Sequence, residues 1–376
     1  MHDFLIVGGG INGLLVAREL ASTGADIILI DKGVTGNESS WAGGGIVSPL
    51  YPWHYSAAVT ELASWSQAKY PNLIDELIDA TGIDPQYSVT GLLMLAAQDE
   101  QQALSWARKF NRRMELVDAT FIYEKAPRLA KGYESALWMS DVANVRNPRL
   151  CKALREFLLR QSNVRLVERM ELLDISTNES RLTGIEIKHP ASSETENISA
   201  RNYIFCAGAW TFQLMQKVGV EINVHPVKGQ MLLYQQQESA LTTILLKNGY
   251  YLIPRKDGLM LAGSTLEYSE FDKSITAPAR EELGSAVRQL LPELADQEPV
   301  KQWAGLRPGS DRGLPFIGKV APFENLFVNA GQFRNGLLLA PASARLMSDI
   351  ILRNEPIVTP EPFDPGISVG SNQGNT

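Results

Sequence analysis

The feature that most constrains this fold is a glycine-rich turn between a strand and a helix at the start of the chain. Apolar residues 4–7 predict a strand, Gly8-Gly9-Gly10-Ile11-Asn12-Gly13 forms the turn, residues 14–22 predict a helix, and residues 27–30 predict a second strand ending at Asp31. In such a unit Gly8 allows the sharp turn, Gly10 lets the backbone approach a pyrophosphate, and Gly13 lets helix and strand pack closely. The helix N-terminus attracts phosphate, and Asp31 is expected to bind an adenosine ribose hydroxyl. This order predicts a dinucleotide site; the alternative is a glycine loop that only packs.

Length and composition favour an ordinary globular protein of two domains. The 376 residues are 44% hydrophobic, and 35 basic against 42 acidic residues leave a formal charge of -7 without a basic block, so nucleic acid is not an expected partner. Cys151 and Cys206 lie far apart among apolar neighbours, which predicts buried thiols and no disulfide or metal site. The N-terminal apolar stretch is too short for a signal peptide or a membrane span. We therefore expect a cytoplasmic protein that does not bind a membrane.

Two patterns alternate along the chain and predict an α/β protein of discontinuous domains. Buried strands that end in small-residue turns recur at 203–210 and 326–331, whereas alternating segments at 230–234, 250–253 and 259–262 predict an antiparallel sheet. Asp257-Gly258 predicts the hairpin between the last two. We expect a Rossmann-like nucleotide-binding domain into which this sheet is inserted. Helical spacing over 57–80, interrupted at Pro71, predicts two packed helices, and residues 370–376 are expected to form a disordered tail.

A second candidate binding segment follows the nucleotide motif at residues 36–46. It combines hydroxyl-bearing and small residues, including Ser39, Ser40, Gly44 and Gly45. Glycines allow close approach to a flat ligand, and hydroxyls can bind phosphate. The segment therefore predicts a ligand contact, with a merely flexible loop as the alternative.

Candidate chemistry is concentrated in the second half of the chain. Arg307 stands among apolar and turn-forming residues, where a guanidinium needs an anionic partner; its planar donors suit a carboxylate, either a ligand's or that of an internal salt bridge. The turn at 331–337 contains Arg334 and precedes a helix, whose N-terminus favours developing negative charge. Tyr250 and Tyr251 face opposite sides of one strand, so one of them can reach a site on either face.

These segments, in this order, resemble the D-amino acid oxidase (DAO) superfamily of FAD-dependent oxidoreductases, and within it the enzymes that oxidise glycine. The specific matches are residues 39–46, 226–230, 303–309 and 333–336. The resemblance extends from residue 4 to about 352. It implies a glutathione-reductase-like FAD-binding domain at 1–84, 141–222 and 305–356, a substrate-binding domain at 85–140 and 223–304, and a tail at 357–376.

The resemblance also implies FAD bound non-covalently and a set of site residues. Arg307 is expected to clamp the substrate carboxylate, Tyr251 to donate a hydroxyl hydrogen bond, Arg334 to lie nearby, and Ile46 and Leu266 to form pocket walls. The residues expected to hold FAD are Gly8, Gly10, Ile11, Asn12, Gly13, Asp31, Lys32, Ser39, Ser40, Gly44, Gly45, Ile46, Glu171 through its backbone, Gln332, Phe333, Arg334, Asn335, Gly336, Leu337 and Leu338.

The implied reaction is oxidative deamination of glycine, and also of sarcosine and small D-amino acids, to an oxo acid, ammonia and hydrogen peroxide. Holding the carboxylate on Arg307 directs the α-hydrogen toward flavin N5, so catalysis is largely orientation and no protein base is obligatory. By resemblance the enzyme serves thiamine thiazole synthesis and forms a homo-oligomer, with a tetramer as the form taken by relatives. The alternatives are a D-amino acid dehydrogenase that reduces a quinone, against which the lack of a basic amphipathic helix counts modestly, and a non-catalytic flavin-binding subunit.

Overall fold

A computed structural model describes residues 1–236 and 241–366 of the chain. The predicted tail at 370–376 lies outside the described residues. The helices are α1 (Ile11–Ala21), α2 (Ser39–Ala42), α3 (Ala57–Thr81), α4 (Glu100–Lys109), α5 (Ala119–Lys125), α6 (Asn147–Leu159), α7 (Thr211–Gln216), α8 (Ala277–Leu290) and α9 (Gly336–Leu352). The strands are β1 (His2–Val7), β2 (Ile27–Ile30), β3 (Ser88–Val89), β4 (Leu92–Leu95), β5 (Glu115–Asp118), β6 (Ser135–Met139), β7 (Ala143–Asn144), β8 (Val164–Val167), β9 (Glu171–Asn178), β10 (Arg181–Lys188), β11 (Thr195–Ile198), β12 (Ala200–Phe205), β13 (Val224–Gln235), β14 (Ile244–Lys247), β15 (Tyr250–Pro254), β16 (Leu259–Gly263), β17 (Lys301–Ser310), β18 (Phe316–Lys319) and β19 (Leu326–Ala330).

The first sheet confirms the Rossmann-like domain. Its six strands follow the order β18-β19-β12-β1-β2-β8, and all pairs are parallel except β18 with β19. Helices α1, α3, α6 and α9 pack on one face, and the three-stranded sheet β11-β10-β9 contributes to the core on the other. After β1 the chain continues to β2, which pairs with one edge of β1, whereas β12 pairs with the other edge. Parallel sheets bind ligands at such a point, beyond the carboxyl ends of the strands.

The two helices expected around Pro71 are a single helix, α3, so that prediction was wrong. Proline lacks the N–H that would bond the carbonyl four residues earlier, which normally kinks or ends a helix. Here Tyr70, directly before Pro71, and Leu73, two residues after it, are buried in the core beneath α9. This packing keeps the helix continuous although one backbone hydrogen bond is missing.

The second sheet confirms the prediction of an inserted sheet, which is antiparallel as expected except at one pair of strands. Its eight strands follow the order β17-β13-β16-β15-β14-β4-β6-β5, and β15 and β16 form the predicted hairpin. Strands β14 and β4, however, run parallel. They come from distant parts of the chain, so no short turn forces them to be antiparallel.

Strand β17 joins the two parts of the molecule. It pairs along its length with β13, from Leu233 opposite Lys301 to Val224 opposite Ser310. The expected boundary between residues 304 and 305 therefore falls inside this strand, and Arg307 belongs to the second sheet. Among the described residues, no helix has both the length and the apolar character needed to cross a membrane.

Candidate active site

A cavity of about 720 Å³ lies between the two sheets. Its wall is formed by the turn after β1, the ends of β2 and β12, the segment 38–50, parts of β13, β15 and β17, and the turn before α9. Nineteen of the twenty residues expected to hold FAD line it; the exception is Gly13. The fold thus brings distant sequence segments together around one cavity.

Gly8 and Gly13 are needed for the geometry of the nucleotide turn. Gly8 has φ +102°, and a Cβ there would lie 2.5 Å from the Cys206 carbonyl oxygen. A Cβ on Gly13 would lie 1.9 Å from the Gly8 carbonyl oxygen, which is impossible without moving the backbone. Gly13 therefore lies outside the cavity wall but lets α1 pack against the turn, which is the packing role predicted for it.

Asp31 and Lys32 lie at the end of β2 and border the same cavity. The Asp31 carboxylate accepts hydrogen bonds from the backbone N–H groups of Gly9 (2.7 Å) and Gly33 (2.6 Å). Burial raises the pKa of Asp31, and these two N–H groups partly offset the effect. The Lys32 ammonium pairs with Glu171 at 2.7 Å. Asp31 thus organises the glycine turn, and it borders the space where a ribose is expected.

The segment 39–46 is anchored on helix α1 and on strand β17. It contains the short helix α2, and Ser40 Oγ accepts a hydrogen bond from the Ile11 N–H at 2.8 Å. Ser39 donates to the carbonyl of Leu306 in β17, and Trp303 donates to the carbonyl of Ala42 at 3.0 Å. These contacts argue against a merely flexible loop.

Three buried amide oxygens on the cavity wall lack a partner within the described part of the chain. They are Oδ1 of Asn12, at the start of α1, Oε1 of Gln332, in the turn before α9, and Oδ1 of Asn147, whose Nδ2 donates to the Ser40 carbonyl at 3.0 Å. A buried polar atom without a hydrogen bond costs about 1–3 kcal/mol. The cavity is therefore suited to a ligand with polar hydrogens in this region, and Asn147 is a lining residue that no sequence motif identified.

Arg307 lies on β17 and reaches the other end of the cavity. Its Nη2 donates to Ser264 Oγ at 2.6 Å, and its Nη1 donates to the carbonyl oxygens of Thr265 (3.2 Å) and Lys228 (3.4 Å). None of the ion pairs formed by the described residues involves Arg307. Burial lowers its pKa, and the Tyr251 side chain and the charge of Glu267 partly offset this effect. The guanidinium is therefore a partly buried cation that forms no ion pair with the described residues. Among the described residues, Arg307 therefore does not form the internal salt bridge that was the alternative prediction.

The two tyrosines of β15 separate as the alternation of a strand requires. Tyr251 lines the cavity, and its hydroxyl donates a weak hydrogen bond to Met231 Sδ at 3.4 Å. Tyr250 points to the opposite face, where its hydroxyl donates to Glu282 at 2.7 Å. That bond raises the pKa of Tyr250 to about 12. Of the two, Tyr251 has the hydroxyl available to a ligand.

The turn before α9 forms another wall of the cavity. Phe333–Asn335 make one turn of 3-10 helix, and α9 begins at Gly336, so the positive end of the helix dipole lies at the cavity. Arg334 is exposed, with its guanidinium 5.6 Å from the Phe333 ring centre, and its charge contributes to lowering the pKa of Arg307. Two cations therefore border the same end of the cavity.

Of the two expected apolar walls, the structure brings one to the cavity. Ile46 lines it, but Leu266 does not: its side chain is 41% exposed. Thr265 is buried, and successive side chains of an extended segment point to opposite sides, which directs Leu266 outward. Met231, from β13, is an apolar residue of the cavity wall that the sequence did not identify.

No role was assigned to the segment 226–230 from the sequence, and in the structure its Gly229 lies against Arg307. A Cβ on Gly229 would lie 2.2 Å from the guanidinium nitrogens of Arg307. Only a glycine lets the β13 backbone lie flat against this side chain. The glycine beside a lysine and a glutamine was visible in the sequence, but its contact with residue 307 requires the strand register.

Comparison with known proteins agrees with this geometry. The sequence model of the DAO family, described as FAD dependent oxidoreductase, matches residues 3–350. A glycine oxidase of Pseudomonas aeruginosa is 48% identical over 361 residues, which cover 96% of this chain and 98% of that protein. A bifunctional protein ThiO/ThiG of Trichormus variabilis is 26% identical, over 95% of this chain and 54% of that protein. The crystal structure of glycine oxidase from Geobacillus kaustophilus superposes with a TM-score of 0.90 at 28% identity, covering 98% of this chain and 99% of that one.

Proposed function

This chain belongs to the DAO family of FAD-dependent oxidoreductases, and we propose that it is a glycine oxidase. The observation that supports this most directly is Arg307, a partly buried cation that forms no ion pair with the described residues, on the wall of the cavity that the glycine turn also lines. Glycine oxidases similar over nearly the whole length of the chain support the same substrate. We propose sarcosine and small D-amino acids as further substrates.

The residues of the cavity fit FAD. The glycine turn and the N-terminus of α1 suit a pyrophosphate, Asp31 suits a ribose, and the unpartnered oxygens of Asn12 and Asn147 can accept hydrogen bonds from polar groups. We propose that FAD is held here without a covalent bond, by the set of residues predicted from the sequence together with Asn147. Bound FAD supplies a two-electron acceptor that is reoxidised by oxygen.

We propose that the remaining task of the protein is to bind and orient the amino acid. Arg307 holds the carboxylate through its planar donors, and Tyr251 can turn its hydroxyl from the weak Met231 contact toward the same group. Arg334 adds positive charge at this end of the cavity, and Ile46 limits the room around the α-carbon. Fixing the carboxylate on one side leaves the α C–H bond directed at the cofactor, which is catalysis by orientation.

The net reaction consumes glycine, oxygen and water and yields glyoxylate, ammonia and hydrogen peroxide. The amine must be neutral when the α-hydrogen leaves with its electron pair, and we propose that its proton goes to solvent on binding. The resulting imine is hydrolysed by water. No side chain is assigned as a base, since the orientation by Arg307 does not require one.

The direct test is to supply the purified, FAD-loaded protein with glycine in air and to measure glyoxylate and hydrogen peroxide together. Formation of both in equal amounts is expected. Absence of both products with glycine, sarcosine and D-alanine would refute the proposal.

The alternatives to an oxidase predict different electron acceptors. A D-amino acid dehydrogenase would reduce an added quinone analogue or dye but take up little oxygen without it. A non-catalytic flavin-binding subunit would show no reduction of its flavin by any amino acid. Oxygen uptake with glycine and no added dye is expected for the oxidase.

We propose that the enzyme acts in the cytoplasm as a homo-oligomer, with a tetramer as the expected form, and that it serves thiamine biosynthesis. The pathway follows from the ThiO/ThiG proteins, in which a ThiO-like half is joined to a second half in one chain. Light scattering of the purified protein tests the oligomeric state. Deletion of the gene, with growth scored with and without thiamine, tests the pathway.

A further inference from the structure

A cluster of polar and charged side chains, three of them buried, lies directly behind Arg307. It consists of Lys228, Gln230, Thr265, Glu267 and Asp272, and we call it the anchor cluster. The Lys228 side chain is only 2% exposed, with its ammonium 3.1 Å from an Asp272 oxygen and 3.5 Å from a Glu267 oxygen. Lysine is almost never buried this fully without a partner. The reaction proposed above uses none of these side chains, so their arrangement needs another explanation.

Glu267 is the centre of the anchor cluster. Its carboxylate accepts hydrogen bonds from Thr265 Oγ1 at 2.5 Å and from Gln230 Nε2 at 2.9 Å. Burial pushes its pKa upward, but these bonds and the charge of Lys228 outweigh that effect and hold the pKa of Glu267 below its ordinary value. In addition, the backbone N–H groups of Lys228 and Glu267 each donate to the other's carbonyl, at 2.8 and 2.9 Å. The segment after β16 is therefore fastened to β13 by both backbone and side chains.

The fastened segment carries the groups that hold the guanidinium. Arg307 donates to Ser264 Oγ and to the carbonyls of Thr265 and Lys228. The β13 backbone at Gly229 lies flat against the guanidinium. A shift of residues 264–267 relative to β13 would therefore move the donors of Arg307, and a displacement of about 1 Å in a site of this kind can cost about 100-fold in rate.

We propose that Glu267, paired with Lys228, is a positioning residue that aims the Arg307 guanidinium at the substrate carboxylate. It does not touch the substrate; it fixes Thr265 and the segment 264–267, which in turn fix Arg307. This inference rests on the proposed function, because it concerns the same carboxylate site. It adds that the affinity of the site for a carboxylate depends on a side chain behind the cavity wall.

The test is Glu267→Gln in the FAD-loaded protein, with two readouts. The first is the Kd of acetate, a carboxylate without an amine, measured from the change in flavin absorbance; the second is the steady-state kinetics with glycine. We expect the acetate Kd and the glycine KM to rise together by about tenfold, with a smaller change in kcat and no loss of FAD. In an Arg307→Lys background, Glu267→Gln should add no comparable loss, because coupled residues are not additive.

The matched control is Glu270→Gln, which removes the same charge from an exposed position three residues further along the segment. It should leave both readouts within twofold of the wild type. If Glu267→Gln loses FAD or fails to fold, Thr265→Val removes the hydroxyl that bonds Glu267 but keeps the carbonyl that bonds Arg307, and should raise the acetate Kd several-fold. An acetate Kd within twofold of the wild-type value, or below it, in the folded variant would overturn the inference. If the wild type binds acetate but does not oxidise glycine, the proposed function fails, while the acetate comparison still tests Glu267.

Discussion

At the scale of single residues, the carboxylate site depends on Arg307, a cation that forms no ion pair with the described residues. Its apolar and turn-forming neighbours in the sequence predicted that Arg307 needs an anion. They could not decide between a ligand and an internal salt bridge, because that depends on which side chains the strand register of β17 and β13 brings near. The same limit explains Leu266, whose direction depends on the alternation after β16.

Removal of the Tyr251 hydroxyl tests the second donor at the carboxylate site. We expect Tyr251→Phe to raise the glycine KM by about fivefold, which corresponds to the loss of about 1 kcal/mol from one hydrogen bond. Tyr250→Phe is the matched control, because its hydroxyl bonds Glu282 on the other face of the sheet. Steady-state kinetics give the glycine KM of both variants. An equal change in KM for the two substitutions would contradict the assignment of Tyr251 to the carboxylate site.

At the scale of elements, the βαβ unit was predictable because its glycines, helix and acidic residue follow a fixed order. The unbroken α3 was not, because the cost of Pro71 is offset by burial of the helix between α9 and the rest of the core, which local sequence does not reveal. Nor could local pattern reveal that β14 and β4 are parallel neighbours, since they are about 150 residues apart.

Because the glycine turn is closely packed, we expect a substitution there to weaken FAD binding strongly. Gly13→Ala would place a methyl group 1.9 Å from the Gly8 carbonyl oxygen, so α1 must move away from the turn that holds the pyrophosphate. We expect weaker FAD binding by at least tenfold, measured by titration of the apoprotein. Gly184→Ala in β10 is the control, because its Cβ would meet nothing closer than 3.6 Å. Unchanged FAD affinity in Gly13→Ala would show that the turn is not the binding element.

The segment that follows β2 is held by an acidic residue whose effect on stability depends on pH. Glu168 accepts hydrogen bonds from Arg155 (2.9 and 2.8 Å) and from both the N–H (2.9 Å) and the hydroxyl (2.7 Å) of Thr35. The Arg155 hydrogen bond, together with those from Thr35, lowers the pKa of Glu168 to about 2. Because the folded pKa is depressed, this stabilisation is complete above the unfolded pKa of about 4.5 and is lost as the pH falls toward 2.

We therefore expect Glu168→Gln to lower the free energy of unfolding by about 1.5–3 kcal/mol at pH 7, and by less at each step from pH 5 to pH 3. Denaturant unfolding at these pH values gives the measurement. Glu156→Gln is the control, since Glu156 accepts only a longer bond of 3.4 Å from the same arginine. A difference between Glu168→Gln and wild type that stays constant with pH would contradict the assignment.

At the scale of the whole molecule, the fold class and the insertion of one domain into the other were predictable from the chain order of the two patterns. The exact division was not, because β17 belongs by pairing to the second sheet although it follows the insertion. Arg255 illustrates how the parts are joined: from the end of β15 it donates to the carbonyls of Gly44 (2.7 Å) and Val145 (3.0 Å). The cavity exists only when both sheets are assembled.

Because both parts of the molecule line the cavity, FAD is expected to stabilise the assembled fold. At a free FAD concentration of about 100 times its Kd, the gain is about 2.7 kcal/mol. Thermal unfolding of the apoprotein with increasing FAD should show a rising Tm, and the Gly13→Ala variant should respond only at higher FAD concentration. A Tm independent of FAD in the wild type would mean that the cofactor does not bind the folded cavity.

The central claim is that Arg307 holds an amino acid by its carboxylate so that its α C–H bond meets the oxidised flavin. Anaerobic mixing of the FAD-loaded protein with glycine, followed by the visible flavin absorbance, measures this without the oxygen step. We expect saturable bleaching in the wild type, and in Arg307→Met bleaching only at glycine concentrations at least about 100-fold higher, with FAD still bound. Flavin that stays oxidised in the wild type, or bleaching with unchanged glycine dependence in Arg307→Met, would contradict it.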